Sequence, residues 1–270
     1  MKIFTRVETI DRNKALEYLS KNTASNRRIT RANVEFLKNE IINGRFIFNG
    51  QCITFDEDGN LIDGQHRLVA VSETDKTIEV LVTRGVKSNA FKTIDTGKVR
   101  TAADVLSIEK APNYNSLASA INRIKNKFSQ ERRTSKNGTI KFSNSEILEF
   151  YNENKDELDE YLDFTTKLYM SEIKIVPPAV AAAMMFLLKR ENARFYKSFI
   201  RELFTGNMEN EDKSAITLRK RLINAKIDGT RRDDVYYRNL FLLAFRGYCK
   251  NKNLSKIQNS SNQFFKSEER

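Results

Sequence analysis

Residues 61–71 carry side chains whose types and order could bind an anion. A short apolar run stops at an Asp-Gly pair and restarts as a helical pattern headed by Gln65, His66 and Arg67. Gly64 lets the backbone approach a ligand closely, and the first turn of a helix presents N–H groups that have no partner within the helix. The sequence therefore predicts an anion-binding corner, with Arg67 as a bidentate partner of phosphate oxygens.

Asp63 and His66 are the candidate catalytic residues of this corner. His66 is the single histidine of the chain, and an imidazole could act as a general base or a phosphate ligand near neutral pH. Asp63 could cap the helix or help hold a metal, while Glu40 and Asp95 are further carboxylates that chemistry on a phosphate could use. One histidine cannot build a histidine-based metal site, so Mg²⁺ held by carboxylate, phosphate and water is the divalent ion to expect.

A second turn, residues 94–101, has two cations and two hydroxyls and leads directly into a predicted helix start at Thr101. It lacks the glycine spacing and the Gly-Lys-Ser/Thr ending of a Walker A loop. We predict that this turn holds a second phosphate group through Lys98, Arg100 and Thr101. The full set of predicted nucleotide- or phosphate-binding residues is Gly64, Gln65, His66, Arg67, Thr96, Lys98, Arg100 and Thr101.

The alternative interpretation of both turns is structural. Asp63 would then be an ordinary helix cap, Arg67 would pair with a surface acid, and His66 would point at water. The second turn would be a solvated turn before a capped helix. Under the phosphate-binding interpretation, by contrast, replacing Arg67 with Ala should abolish nucleotide binding without unfolding the chain, because a bidentate arm on the surface contributes little stability.

The corner also resembles a known family. The segment Asp-Gly-Gln-His-Arg-Leu at 63–68, with Ile-Thr-Phe at 53–55 before it and Ile-Glu-Val-Leu-Val at 78–82 after it, resembles the phosphate-binding core of the ParB/sulfiredoxin superfamily, which includes ParB-like nuclease domains. Residues 91–98 and 100–104 extend the resemblance to a phage and mobile-element subgroup. The resemblance covers residues 1 to about 105.

This resemblance implies a nucleotide pocket without fixing one reaction. Sulfiredoxins place a nucleophilic cysteine where this chain has Gln65, and an amide cannot replace a thiolate, so we do not expect sulfiredoxin chemistry. Other members bind or hydrolyse a nucleoside triphosphate, phosphorylate a small substrate, or cut DNA. The expected cofactor is accordingly a nucleoside triphosphate with Mg²⁺.

The charge of the chain favours a polyanionic partner. The formal net charge is +12, of which residues 1–105 contribute +3 (17 basic against 14 acidic) and residues 106–270 contribute +9 (30 against 21). Basic surfaces attract nucleic acid through phosphate contacts and counterion release. A moderately basic, lysine-rich chain that binds no polyanion is the alternative. The predicted nucleic-acid-binding residues are Arg123, Lys125, Lys127, Arg132, Arg133, Arg219, Lys220 and Arg221.

The pattern of elements predicts an α+β fold in two domains. Strands are predicted over residues 2–7, 51–55, 61–62 and 77–84, the last ended by Gly85, with helices capped by Asp11 and Thr30 and one at the corner. Beyond residue 101 the pattern is helical, with starts at Thr101, Asn113, Ser143, Pro177 and about Lys213. We predict a ParB/sulfiredoxin-like nucleotide-binding domain at 1–105, an all-α domain at 106–252 and a flexible tail at 253–270.

Three function classes remain open on these residues. The first, which we favour, is a nucleotide-binding protein that binds DNA; the second is a Mg²⁺-dependent nuclease, phosphotransferase or NTPase; the third is a phage accessory protein that binds a host protein, and self-association is also left open. Cys52 and Cys249 have no disulfide or zinc spacing. No apolar stretch is long enough to span a bilayer, so we expect a cytoplasmic protein without a membrane partner.

Overall fold

The computed structural model describes residues 2–23, 26, 28–93, 99–128, 134–135, 138–139, 142–208 and 213–257. These residues fall into two compact units, one within Met1–Val99 and Arg133–Ser145 and the other within Arg100–Arg132 and Glu146–Arg270. The fold is α+β, as predicted, and the first unit contains a small mixed sheet.

The sheet of the first unit has four strands in the order β1-β4-β2-β3. They are β1 (Phe4–Ile10), β2 (Cys52–Asp56), β3 (Leu61–Asp63) and β4 (Ile78–Val86). β4 pairs antiparallel with β1 and parallel with β2, and β2 pairs antiparallel with β3. The short β3 delivers the chain from the sheet directly to the predicted corner.

Three helices build the rest of this unit: α1 (Arg12–Leu19), α2 (Arg31–Ile42) and α3 (Gln65–Ser72). A short 3₁₀ helix, Ser88–Thr93, follows β4. α3 packs against both α1 and α2, and fully buried Leu68 and Val71 join it to a core that includes Ile53 of the sheet. This packing fixes where the first turn of α3 lies.

A buried carboxylate ties the edge of the sheet to α1. Glu8 of β1 is 6% exposed, and it accepts hydrogen bonds from Tyr18 Oη at 2.5 Å and Arg84 Nη1 at 2.7 Å. Lys14 and Arg6 form ion pairs with it at 2.7 and 2.6 Å. Burial alone would raise the pKa of Glu8, but these hydrogen bonds outweigh burial and hold the pKa well below its usual range.

Gly85 does not end the last strand of the sheet, contrary to the sequence prediction. β4 continues to Val86. Gly85 has φ +82°, and a Cβ there would lie 3.1 Å from the backbone oxygen of Lys2. The glycine marks a close approach of two backbone segments and not a strand end.

The second unit is helical throughout its described residues. Its helices are α4 (Ala102–Ile108), α5 (Tyr114–Asn122), α6 (Asn144–Glu153), α7 (Lys155–Ser171), α8 (Pro178–Glu191), α9 (Tyr196–Thr205), α10 (Ser214–Ile227) and α11 (Asp234–Cys249), and a π-helical turn, Arg123–Phe128, extends α5. α6 begins at the junction, with its first two residues in the first unit. The apolar helix α8 forms the centre, with α7 and α11 packed against it. No helix in the described part of the chain is long and apolar enough to cross a membrane.

Two details of the second half differ from the sequence expectation. A pair of two-residue strands, β5 (Thr134–Ser135) and β6 (Gly138–Thr139), interrupts the predicted all-helical region and belongs to the first unit. The start of the predicted flexible tail contacts α10, because Thr217 Oγ1 donates to the Leu254 carbonyl at 2.7 Å. Ile257 is 3% exposed, so an apolar side chain anchors this segment.

Candidate functional site

The first turn of α3 starts at a glycine that no other residue can replace without strain. Gly64 occupies the N-cap with φ +101°, and no side chain caps the helix there. A Cβ at this position would lie 2.9 Å from Cγ1 and 3.3 Å from Cα of Ile53. The glycine therefore allows the helix start to pass directly over β2. Asp63 is not the cap, contrary to the structural alternative.

A cavity of about 430 Å³ lies at this helix start. Its wall combines the predicted corner with one face of α2 and the start of β2. The lining residues are Asn33, Phe36, Leu37, Gln51, Cys52, Asp63, Gly64, Gln65, His66 and Arg67. The structure thus brings the first predicted set, including both catalytic candidates, into one pocket.

Arg67 is buried and only partly hydrogen-bonded. It is 9% exposed, and its Nη2 donates to the Cys52 carbonyl at 2.6 Å and to Asp63 Oδ2 at 3.0 Å. Nη1 is buried and has no hydrogen-bond partner among the described residues. The expectation of a surface arm is wrong, because the side chain joins β2 to α3. The predicted bidentate contact between Arg67 and a phosphate would use both Nη atoms, but Nη2 already donates to two protein acceptors.

His66 has a structural partner on the neighbouring helix. It is 8% exposed, and Nε2 accepts the backbone N–H of Thr30 at 3.0 Å, immediately before α2. An accepting Nε2 places the imidazole proton on Nδ1 in the neutral ring. The Nε2 lone pair is therefore engaged in tying α3 to α2, which limits the predicted role of His66 as a general base.

Gln65 belongs to a network of amides. Asn22 donates from Nδ2 to Gln65 Oε1 at 3.3 Å, and Asn26 donates to Asn22 Oδ1 at 2.5 Å and to the Leu61 carbonyl at 2.6 Å. Gln65 is 4% exposed. The network holds the segment between α1 and α2 against the corner, and it occupies the side-chain oxygen of Gln65.

An ion pair fixes α2 to the far end of α3. Arg31 donates from Nη1 and Nη2 to the two carboxylate oxygens of Glu73 at 2.5 and 2.7 Å. Hydrogen bonding to Arg31 lowers the pKa of Glu73. Together with the Thr30–His66 contact, this pair holds the face of α2 that carries Phe36 and Leu37 over the cavity.

Carboxylates are sparse at the site. Asp63 is the acid that lines the cavity in the described part of the chain, and it pairs with Arg67. Glu40 is 7% exposed and forms an ion pair with Arg45 at 2.9 Å, and Asp95 lies outside the described residues. No group of three His, Cys, Asp or Glu side chains that could hold a metal occurs within the described ranges.

The residues of the second predicted turn do not line this cavity where the structure describes them. Thr96 and Lys98 lie outside the described residues, and Arg100 and Thr101 belong to the second unit. Thr101 forms a capping box: its Oγ1 accepts the Asp104 N–H at 3.2 Å, and Asp104 Oδ2 accepts the Thr101 N–H at 2.7 Å. The hydroxyl predicted to bind phosphate thus already caps α4.

The predicted nucleic-acid-binding residues divide into internal and exposed groups. Arg123 pairs with Asp234 at 2.7 Å, and Arg219 donates to the Leu203 carbonyl at 2.8 Å at the end of α9. Lys125 Nζ lies 5.1 Å from the ring centroid of Phe150. Lys220 and Arg221 are exposed on α10, whereas the side chain of Lys127 and all of Arg132 and Arg133 lie outside the described part of the chain.

Sequence reasoning missed the half of the pocket that α2 and β2 supply. The helical spacing of Val34, Leu37 and Ile41 predicted the helix but not which neighbour its other face meets. Asn33, Phe36 and Leu37 of this helix line the cavity. Gln51 and Cys52 reach the cavity because β2 lies beside the start of α3. Their proximity to the corner depends on tertiary packing, and no local signal marks it.

Comparison of the chain with protein-family models, with curated proteins and with solved structures returns no match. The family resemblance therefore stays a prediction carried by the residues at 53–55, 63–68 and 78–82. The geometry of the pocket bears on function independently of that resemblance.

Proposed function

We propose that this protein binds a nucleotide at the start of α3, in the manner that its ParB/sulfiredoxin-like motif implies, and that its helical unit contacts DNA. The observation that carries the proposal is the buried Arg67 guanidinium, whose Nη1 has no partner among the described residues and which lines a cavity at a helix N-terminus. An unsatisfied buried donor costs about 1–3 kcal/mol. An anionic oxygen that reached Nη1 would remove that cost; because Nη1 is buried, binding would require the guanidinium to turn toward the cavity.

The helix start strengthens the case for an anion. The N–H groups of the first turn of α3 have no intrahelical acceptor, and the helix dipole places about half a positive charge there. Because Gly64 carries no side chain, the chain supplies no carboxylate or hydroxyl cap of its own at the N-cap position. A phosphate can take that place.

The part of the cavity wall that α2 supplies suits a nucleoside. Phe36 and Leu37 are half-buried and line the pocket together with the amide of Asn33. An aromatic ring can stack on a base, and an amide can hydrogen-bond to its edge. A volume of about 430 Å³ is in the range of small-molecule sites.

Nucleotide binding can be tested on the wild-type chain by protection of a thiol. Cys52 lines the cavity and Cys249 lies in the second unit; neither forms a disulfide, and both are half-buried. ATP, CTP, GTP, their diphosphates and their monophosphates, with and without Mg²⁺, are titrated by calorimetry while the rate of thiol labelling at each cysteine is followed by mass spectrometry. We expect micromolar binding and slower labelling of Cys52 with no change at Cys249. No heat and no protection by any nucleotide would overturn the proposal.

DNA contact is supported by the exposed face of α10. Residues 213–227 contain no acid, and Lys213, Lys220 and Arg221 are exposed. The test measures fluorescence anisotropy of duplex DNA against salt concentration for wild type and for Lys220→Glu/Arg221→Glu, with Lys155→Glu/Lys167→Glu on the acid-rich α7 as the charge-matched control. We expect the double variant to lose affinity at least tenfold and to flatten the salt slope. Equal loss in the control would assign the effect to net charge.

The enzymatic alternative has less support than binding. Reactions on phosphate that use Mg²⁺ need free carboxylate oxygens, and Asp63, the described acid of the cavity, pairs with Arg67. One carboxylate that is already paired through Oδ2 is a poor donor set for a protein-bound Mg²⁺. The third class, an accessory protein that binds a host protein, predicts weak salt dependence and no nucleotide binding, so the same titrations separate it.

A further inference from the structure

Cationic side chains gather around one buried carboxylate at the edge of the sheet. β1 is an outer strand of the described sheet, since the strand order is β1-β4-β2-β3. Its Glu8 forms ion pairs at 2.6 to 2.7 Å with three cations, which are Arg6, Lys14 and Arg84. A single carboxylate balances one of these charges, so the other two remain as surplus positive charge.

A fourth cation and an exposed ring lie beside these groups. Lys21 Nζ lies 5.7 Å from the ring centroid of Tyr18 and 5.8 Å from that of Phe55. The Arg84 guanidinium carbon lies 5.5 Å from the Tyr18 centroid and 5.9 Å from the Phe4 centroid. Tyr18 and Phe55 are buried, whereas Phe4 is 44% exposed. We call the resulting surface the edge cluster, which consists of Phe4, Arg6, Lys14, Lys21 and Arg84.

The four cations of the edge cluster pair with two carboxylates within the described residues. The second carboxylate is Glu17, which Lys21 Nζ contacts at 3.4 Å and whose side chain is 62% exposed. An ion pair this exposed contributes little and is screened by salt. Like charges therefore repel one another here, and a polyanion relieves that repulsion.

The rest of this unit does not reverse the sign of the charge. By sequence, its parts outside the description contain one acid, Asp95. They contain five cations, which are Arg27, Lys98, Arg133, Lys136 and Lys141. The surplus at the edge cluster is thus not an effect of leaving acidic residues of this unit out of the count.

The exposed ring of Phe4 indicates the form of the polyanion. Proteins that bind single strands combine cations that contact phosphates with aromatic rings on which bases stack. In a duplex the faces of the bases are covered by neighbouring base pairs, so a ring at the protein surface gains no stacking. Arg84 donates to Glu8 and to Tyr18 through its two Nη atoms, so it supports the ring of Phe4 while the more exposed cations face solvent.

We propose that the edge cluster binds single-stranded nucleic acid, with phosphates on Arg6, Lys14 and Lys21 and a base stacked on Phe4. This site goes beyond the proposed function, because it uses neither the residues of the cavity nor those of α10. DNA and RNA strands share this chemistry, and the experiment distinguishes them.

The first measurement maps the contact on the full-length wild-type chain. Fluorescent oligo(dT) and oligo(U) are titrated by anisotropy, and the rate of acetylation of each lysine is followed by mass spectrometry with and without the strand. A DNA hairpin duplex and polyglutamate are the comparison polyanions. We expect oligo(dT) or oligo(U) to slow acetylation of Lys14 and Lys21 about fivefold or more, with no change at exposed Lys76.

The second measurement uses variants with matched controls in the same unit. Arg6→Gln/Lys21→Gln removes two exposed cations, and Arg28→Gln/Lys76→Gln is the control with the same change in charge. Phe4→Leu removes the ring, and Phe48→Leu is its control, since Phe48 is 48% exposed. All are also made in the Lys220→Glu/Arg221→Glu background, so that α10 does not compete for the strand.

We expect Arg6→Gln/Lys21→Gln to weaken strand binding about tenfold and to lower its salt slope by about 0.7 for each cation removed. Phe4→Leu should weaken it about fivefold without changing the salt slope, because stacking is not ionic. Both controls should bind as the parent does. Thermal melts show whether each variant is folded, and the lysine protection of the wild type does not depend on them.

Binding of either strand with this protection supports the proposal, and the tighter strand identifies DNA or RNA. No binding of a strand, or equal protection of Lys14, Lys21 and Lys76, would overturn it. Protection of Lys14 and Lys21 by the duplex or by polyglutamate as strongly as by a strand would also overturn it, because the surface would then bind any polyanion. Equal losses in the variants and their controls would have the same meaning. None of these outcomes depends on nucleotide binding in the cavity.

Discussion

The starts of α3 and α4 follow turns with similar predicted chemistry, yet they are built in different ways. α3 begins at Gly64, has no side-chain cap, and lies beside the buried guanidinium of Arg67. α4 begins at Thr101, whose hydroxyl caps the helix while Asp104 returns a carboxylate to the Thr101 N–H. The difference shows that the cap residue, and not the preceding turn, decides whether a helix start remains suited to an external anion.

The physical reason is the saturation of donors. A capping box satisfies N–H groups of the first turn reciprocally and places a negative charge at the positive end of the helix. A second anion would then compete with Asp104. A glycine cap leaves the first-turn N–H groups without a local side-chain acceptor, so a ligand or a neighbouring segment must supply one.

Replacing Arg67 should have the largest effect. Arg67→Ala leaves Asp63 half-buried without its cation, and we expect a loss of about 2–4 kcal/mol in the free energy of unfolding. Arg67→Lys keeps a positive charge beside Asp63, so it tests nucleotide binding with a smaller effect on folding. We expect this variant to lose at least tenfold in affinity for AMP or ATP. Urea denaturation and calorimetry are the measurements. If Arg100→Ala lowered nucleotide affinity as much as the Arg67 variants, the start of α4 would bind the ligand as well as the start of α3, contrary to the difference described above.

Gly64→Ala should destabilise the chain by about 2 kcal/mol, because it adds a Cβ both at positive φ and 2.9 Å from Ile53 Cγ1. Gly59→Ala is the matched control, since Gly59 has φ +85° but nothing within 4 Å of its Cβ position. We expect the control to cost about 1 kcal/mol. Thermal unfolding of both variants measures the difference, and equal costs would remove the steric argument at the corner.

Glu8→Gln tests the buried hydrogen bonds that tie the edge of the sheet to α1 in the unit that contains the cavity. We expect a loss of about 2 kcal/mol at pH 7, because a charged acceptor of several hydrogen bonds is replaced by a neutral amide. The pKa of Glu8 is depressed in the folded state, so its stabilisation is complete above the ordinary glutamate pKa of about 4.3 and declines as pH falls below it. Urea midpoints of wild type and variant should converge in acid, whereas those of exposed Glu79→Gln should match wild type throughout.

Thr101→Ala should have the smallest effect. Loss of the capping box should destabilise the second unit by about 1 kcal/mol, with no change in nucleotide affinity. Thermal unfolding and calorimetry test the two parts separately. A tenfold fall in nucleotide affinity would show that Thr101 touches the ligand and would support the second phosphate contact predicted from the sequence.

Local signals in the sequence predicted most elements correctly. Asp11 caps α1 through the Lys14 N–H, and Pro177 precedes α8. These features depend on residues a few positions apart, whose propensities act within one turn or one hairpin. Gly85 is the instructive exception, because its neighbour is Lys2, which is distant in sequence.

The sequence by itself determined the α+β class, the glycine-led start of α3 and the basic character of the second half. Tertiary structure alone decided that Arg67 is buried with Nη1 unpaired among the described residues, that His66 is engaged by Thr30, and that α2 completes the cavity. Burial and partner choice depend on which surfaces pack together, and composition and spacing within one segment do not encode the identity of a distant neighbour. The pocket is therefore a property of the packed sheet and helices, although its motif lies within six consecutive residues.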